Sequence, residues 1–291
     1  ASNVGGDLDA TATTGNITQI GSITVGLTTT LETIADDATI TLLDPLNSFT
    51  GAITVATSGT EGDVSIDGGS ATGLDIAAST VGGDLSLLSG NASGITDSGT
   101  LTVGGNLDAT TNDNAGVIEL NDLAVDGTIG VVTDGLGNAT IVNDENVNFA
   151  ASNVGGDLDA TATTGNITQS EALTVTGSSE FTTLVDASDI ILGHADNEFT
   201  GEVTMSAGIT GEDTFTNITF VDSESVNIND VADANGDLFI DADADGAVVG
   251  NLNITAKTGN ITQNIRLTVG LTTTLETIAD DATITLLDPL N

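Results

Sequence analysis

Two stretches of this chain are copied without a change. Ala1–Gln19 recurs as Ala151–Gln169, and Thr24–Asn47 recurs as Thr268–Asn291. In a compact core every position sees its own environment, so long verbatim copies are hard to accommodate there. A repeat array accommodates them, because each unit touches only its neighbours. The copies therefore predict a solenoid, with function spread along a surface rather than gathered in one pocket.

Composition narrows the type of solenoid. Hydrophobic residues make up 38% of the chain, too many for a disordered acidic tail. Val, Ile, Leu, Ala and Thr dominate, and the β-branched members suit a pleated, half-buried surface. The charge is extreme: 43 Asp and Glu against 2 Lys and Arg, a formal −41. Only Lys257 and Arg266 could meet a phosphate, which argues against a nucleic-acid partner. Anionic membrane surfaces and anionic polysaccharides would be repelled, and cations are the natural counter-partners. Acidity also keeps an edge-rich β protein soluble, a reading that needs no ligand. The chain has no Cys, so no disulfide holds it. No apolar run is long enough to insert in a membrane. Ala1 stands where an initiator Met would, with no basic, apolar leader after it. The expectation is a mature portion or fragment with any export signal outside it.

The local pattern is apolar at i and i+2, followed by a turn of Gly, Asn, Asp, Ser or Thr. Ile40/Leu42, Ile53/Val55, Val64/Ile66, Leu85/Leu87, Leu173/Val175 and Leu252/Ile254 are examples. Period-two alternation predicts short strands with one face buried. Above the strands lies a longer unit. The leucines of its GDL or GNL segments, Leu8, Leu85, Leu158 and Leu252, stand 77, 73 and 94 residues apart. Approximate repeat bounds are 4–80, 81–153, 154–247 and 248–291. Dividing the first spacing by four gives coils of ~19 residues and about 15 coils; three larger coils per unit is the alternative. Phe49, Phe149, Phe181 and Phe199 are expected inside. Asn residues before Ile-Thr, as at Asn16, are expected at corners where side-chain bonding is useful.

The succession VGGDLDATATTGNITQ at 154–169, Leu173-Thr174-Val175, Asp189–Leu192 and Asn197–Thr204 resembles the repeat regions of filamentous-haemagglutinin-like exoproteins. These are giant bacterial surface adhesins, often exported by two-partner secretion. The resemblance implies an all-β, right-handed parallel β-helix with no separate globular domain. It also implies a structural or adhesive rod segment of an exported cell-surface fibre. The location would be secreted, at the cell surface. Partners would be adjoining repeats or other copies end to end, and a host-cell, neighbouring-cell or matrix receptor. The alternative is a self-assembling extracellular filament or surface-layer subunit, calcium-stabilised if the candidate loop below binds.

One segment resembles a metal loop. Asp241-Ala-Asp243-Ala-Asp245-Gly246 matches the opening of a calcium loop, where alternating carboxylates converge and Gly permits the turn. Asp241, Asp243 and Asp245 are therefore candidate Ca2+ ligands. Against this, the twelfth position is Leu252 and not Glu, so a solvated corner is the competing reading. The segment coincides with the extra residues of the 94-residue spacing and reads as an insertion. His194 has no second His or Cys to complete a transition-metal site and reads as a corner residue. Asp/Glu pairs are too abundant to single out a glycosidase pair, and acidic substrates would need basic groups, so no enzyme is expected. Seven N-x-S/T sequons occur, at Asn16, Asn91, Asn138, Asn166, Asn217, Asn253 and Asn260. Thr28–Thr30 and Thr272–Thr274 resemble the flat arrays of ice-binding solenoids, but the pattern is not kept in every coil. Asp36, Asp37, Asp44, Asp63 and Asp67 are expected at turns or facing outward.

Overall fold

The computed structural model describes the chain except for residues 186, 208–216, 225, 229–236, 242–246, 249, 264–267 and 288–291. It is a parallel β-solenoid with no helix among the described residues, and every described strand pairing is parallel. Two compact units are present, Ala1–Asp144 and Glu145–Asn291.

In the first unit each turn carries three short strands. Leu8–Ala12, Thr29–Thr33 and Ile53–Ala56 stack as one row. Ser2–Val4 and Ile23–Val25 begin a second row. The third runs Ile17, Ile40, Val64, Leu85, Leu107 and Ile129 in one register, so a turn takes 21 to 24 residues. The second unit repeats the design. Its register row Val147, Ile167, Ile190, Ile218, Leu252 and Thr273 includes turns of 28 and 34 residues. The chain makes about 11 turns, not 15, because the turn is longer than ~19 residues.

The reason is that the sequence repeat is not a whole number of turns. Leu8 opens the second strand and Leu85 the twelfth, ten strands later, which is three turns and a third. In the second unit Leu158 lies in the row of Ser179 and Val203. Leu252 lies in the row of the next strand, three turns on, so the advance is again three turns and a third. Each repeat therefore sets the same motif on the neighbouring sheet.

The predicted apolar pairs line the interior. Ile40, Ile53, Val64, Ile66, Ile76, Leu173 and Ile190 are fully buried. Phe149, Phe181 and Phe199 form a column of edge-on rings with centroids 6.2 and 6.0 Å apart, continued by Phe220 at 5.3 Å. Corners are equally repetitive. A Cβ on Gly26 would lie 2.7 Å from the Gly5 carbonyl oxygen, so only glycine lets these two corners stack. Buried hydroxyls of Thr33, Thr57, Thr111 and Thr133 donate to carbonyls four or five residues ahead and close the wider corners. Asp37, Ala187 and Asp281 occupy one repeat position and share a left-handed backbone, with φ of 59°, 60° and 69°.

Identical sequences fold identically but are buried differently. Ala1–Gln19 and Ala151–Gln169 form matching strands. Leu8 is half-buried while Leu158 is 1% exposed. Ile40 is 0% exposed and its copy Ile284 is 43% exposed. The difference is whether coils stack on both sides. Leu158→Ala should cost about 3 kcal/mol in a denaturant titration and Leu8→Ala about 1 kcal/mol or less; equal losses would contradict the described packing. Thr29 and Ser179, one repeat position in two copies, bury hydroxyls with no hydrogen-bond partner among the described residues. Thr29→Val should stabilise by about 1 kcal/mol, read as a raised denaturation midpoint.

Candidate functional site

The polar chemistry of the described residues lies largely in what the coils carry on their corners. The residue that enters the third row of each turn is usually Asn or Asp. Its side-chain oxygen accepts the backbone N–H of the matching residue one coil on. Asn16 accepts from Thr39 at 3.0 Å, Asp63 from Asp84 at 2.8 Å, Asp84 from Asn106 at 2.7 Å and Asn106 from Thr128 at 2.9 Å. In the second unit the ladder is unbroken. Asn146 accepts from Asn166, Asn166 from Asp189, Asp189 from Asn217, Asn217 from Asn251 and Asn251 from Thr272. Asp7 and Asp157 do the same at neighbouring corners. Donation by the Thr28 hydroxyl and N–H holds the Asp7 carboxyl below its ordinary value. Partial desolvation by the neighbouring chain, and then the charge of Asp84, raises the carboxyl of the exposed Asp108; partial desolvation raises that of the exposed Asp159.

This ladder explains the GNIT corner. Asn16, Asn166, Asn217 and Asn260, four of the seven sequon asparagines, use their side-chain oxygens as inter-coil acceptors. Of Thr28–Thr30, Thr29 points into the core at 0% exposure, so the triplet is not a flat outward array. Asp36, Asp37 and Asp63 lie at corners as expected. Asp67 does not face outward: it is 7% exposed, and its carboxylate accepts the Gly69 N–H at 2.8 Å within a tight turn.

A second device was not anticipated from the sequence. Asn47, 1% exposed, and Gln19 exchange two side-chain hydrogen bonds of 3.0 and 2.9 Å. Asn47 also accepts from Ile23 N and donates to the Asp67 carbonyl, joining three successive coils. The second unit repeats it with Gln169 and Asn197, bonded at 2.9 and 2.7 Å, together with Leu173 N and the Val221 carbonyl. The available signal was the equal 28-residue separation of Gln and Asn in both copies.

His194 is a corner residue. Its Nδ1 accepts from Asp196 N and its backbone N–H donates to Gln169 Oε1. Asp196 pairs with Lys257 at 2.9 Å, and donation by the Lys257 ammonium, then its charge, lowers the carboxyl. The proposed calcium loop is only partly described. Asp241 ends the strand Asp237–Asp241, while Asp243 and Asp245 lie outside the described residues. The segment falls within the 34-residue turn between Ile218 and Leu252, consistent with an insertion. Among the described residues no group of three or more His, Cys, Asp or Glu could hold a metal ion. No helix among them is long and apolar enough to cross a membrane. An open notch of about 290 Å³ is lined by Thr18, Gln19, Ile20, Gly21, Thr41, Leu43 and Asp44.

Three strands per turn, parallel pairing and ladders of Asn and Asp at the corners define a repeat protein of the parallel β-solenoid class. The chain belongs to the repeats of unknown function designated DUF5649, which match residues 1–56, 61–134, 136–206 and 224–291. No curated protein and no solved structure matches it.

The Gln–Asn pair recurs in both units. Asn197→Ala should destabilise the second unit by about 3 kcal/mol, because the Gln169 amide and three backbone groups, of Leu173, Leu192 and Val221, lose their partner. Chemical denaturation read by circular dichroism checks this; a loss below about 1 kcal/mol would mean that the pair is not structural.

Proposed function

We propose that this chain is a structural and adhesive rod segment of an exported cell-surface fibre. The observation that carries the reading is modularity: verbatim segments form the same strands in both units, each paired in parallel with the next coil. Such a body gains length by adding coils, without redesigning a core. The resemblance of 154–204 to filamentous-haemagglutinin-like repeats supports export and adhesion. A structural role also fits side chains engaged in holding coil to coil instead of converging on a substrate. Adjoining repeats, other copies and a cell or matrix receptor are the proposed partners.

A second reading, a self-assembling filament or surface-layer subunit, rests on the same coil-to-coil parallel pairing, which a further copy would extend. Parallel strand edges of this type pair readily with further strands. Antibodies raised against the chain should label intact cells, and purified chain should compete with cell attachment; labelling only after lysis would overturn export. Attachment unaffected by saturating chain would overturn adhesion.

Charge gives a biophysical check. A body carrying −41 repels itself and its copies at low ionic strength. Raising sodium chloride from a desalted sample should raise the melting temperature and promote association. Calcium at matched ionic strength should outperform sodium only if carboxylates such as Asp241, Asp243 and Asp245 coordinate it. A melting temperature that stays flat or falls with salt removes self-repulsion as a significant factor.

A further inference from the structure

The corner that follows Val221 holds a buried carboxyl where the fold does not require one. Asp222 is 4% exposed, and its Oδ1 accepts the N–H groups of Phe199 at 3.2 Å and Ser223 at 2.8 Å. It sits between three coils. Ser223 N donates to the Asn197 carbonyl of the preceding coil, and Lys257 N donates to the Asp222 carbonyl from the following one. Phe199 and Phe220, the end of the aromatic column, flank it in sequence and register.

The first unit supplies an internal control. Phe49, the repeat equivalent of Phe199, also donates its N–H to a side chain one coil on, but the acceptor there is the neutral Thr72 hydroxyl at 3.1 Å. The joint is thus built equally well without a charge. At Asp222 the charge brings a penalty that Thr72 avoids. Burial is the main cause, and the backbone N–H donors of Phe199, Ser223 and Glu224 only partly offset it. Glu224, two residues on, adds like-charge repulsion; together these push the carboxyl up to about 6. Among the described residues, the other ionisable groups on elements packed here are Glu198 and Asp196 beside Phe199, His194 before them, and Lys257 after the strand Leu252–Ala256. Lys257 is engaged by Asp196. None of these cations bonds to the Asp222 carboxyl among the described residues.

We propose that Asp222 makes this joint acid-responsive: taking up a proton from solvent tightens the three-coil clamp around Phe199, and losing it loosens the clamp. The sign follows from linkage. The folded carboxyl holds its proton to higher pH than an unfolded aspartate, so its contribution to stability is complete below about pH 4. It is lost as pH rises to about 6. Above that pH the carboxylate draws water that burial withholds, and the corner opens to supply it.

The test is nuclear magnetic resonance on the whole labelled chain. The Asp222 carboxyl carbon, assigned by its disappearance in Asp222→Asn, should titrate with a midpoint near 6. Intrinsic-rate-corrected exchange protection of the Phe199 amide should rise at least about threefold from about pH 7 to about pH 5. It should not change in Asp222→Asn or in Asp222→Thr, which copies the first unit. The Phe49 amide in the same sample should not respond. A midpoint at or below the ordinary carboxyl value, equal pH dependence in both variants, or an equal response at Phe49 would each overturn the proposal, the last by showing general relief of charge repulsion. None of these outcomes bears on adhesion, so the proposal and the rod reading fail independently.

Discussion

Everything in each unit depends on one constraint: a residue must find its equivalent in the next coil at the spacing of a parallel hydrogen-bonded pair. Parallel pairing fixes that spacing at about 4.8 Å, and the side chains must then stack like on like. Inward, this produces the rows from Ile17 to Ile129 and the column from Phe149 to Phe220. At corners it excludes any Cβ where Gly26 crosses Gly5. Where side chains do occupy corners, it aligns Asn and Asp oxygens under the amides of the following coil. The ladders are consequences of the pairing, but they also reinforce it, since each supplies an acceptor to an N–H that no strand satisfies.

Buried polar groups show how the same rule sets identity. In the Gln19–Asn47 and Gln169–Asn197 pairs the Asn is fully buried, the Gln half-buried, and each amide is hydrogen-bonded, which is the condition under which buried amides stabilise rather than destabilise. Thr29 and Ser179 are exceptions, apolar positions by register that carry hydroxyls, and so is Asp75 Oδ1, buried without a partner among the described residues. Asp222 is a third case, bonded but ionisable.

Much of the fold was legible because period-two alternation survives even in short strands. Ile40/Leu42 and Leu252/Ile254 could be assigned to the interior from sequence alone, and the structure buries them. Asn16 was legible as a corner because GNIT recurs. The turn length was misjudged because a repeat was taken to be a whole number of coils; nothing local reveals that Leu8 and Leu85 occupy different sheets. Asp67 was misplaced because an Asp after an apolar pair usually faces water, and only the turn to Gly69 brings it inside. The Gln–Asn clamp escaped notice because its partners are separated by a full coil and neither belongs to the apolar pattern. The corner ladder was only partly legible, since its members read one by one as turn residues and meet only when the coils stack.

The third-of-a-turn advance has a consequence for how such genes change. When a repeat is duplicated, the copy enters on a different sheet from its parent, as Leu85 does after Leu8. Unequal crossing-over therefore succeeds only if the three walls of the tube are interchangeable, so that a wall segment fits wherever it lands. Within each unit a mark carried by every repeat therefore passes from one sheet to its neighbour. A flat partner lying on one sheet would meet the mark of one repeat and miss that of the next.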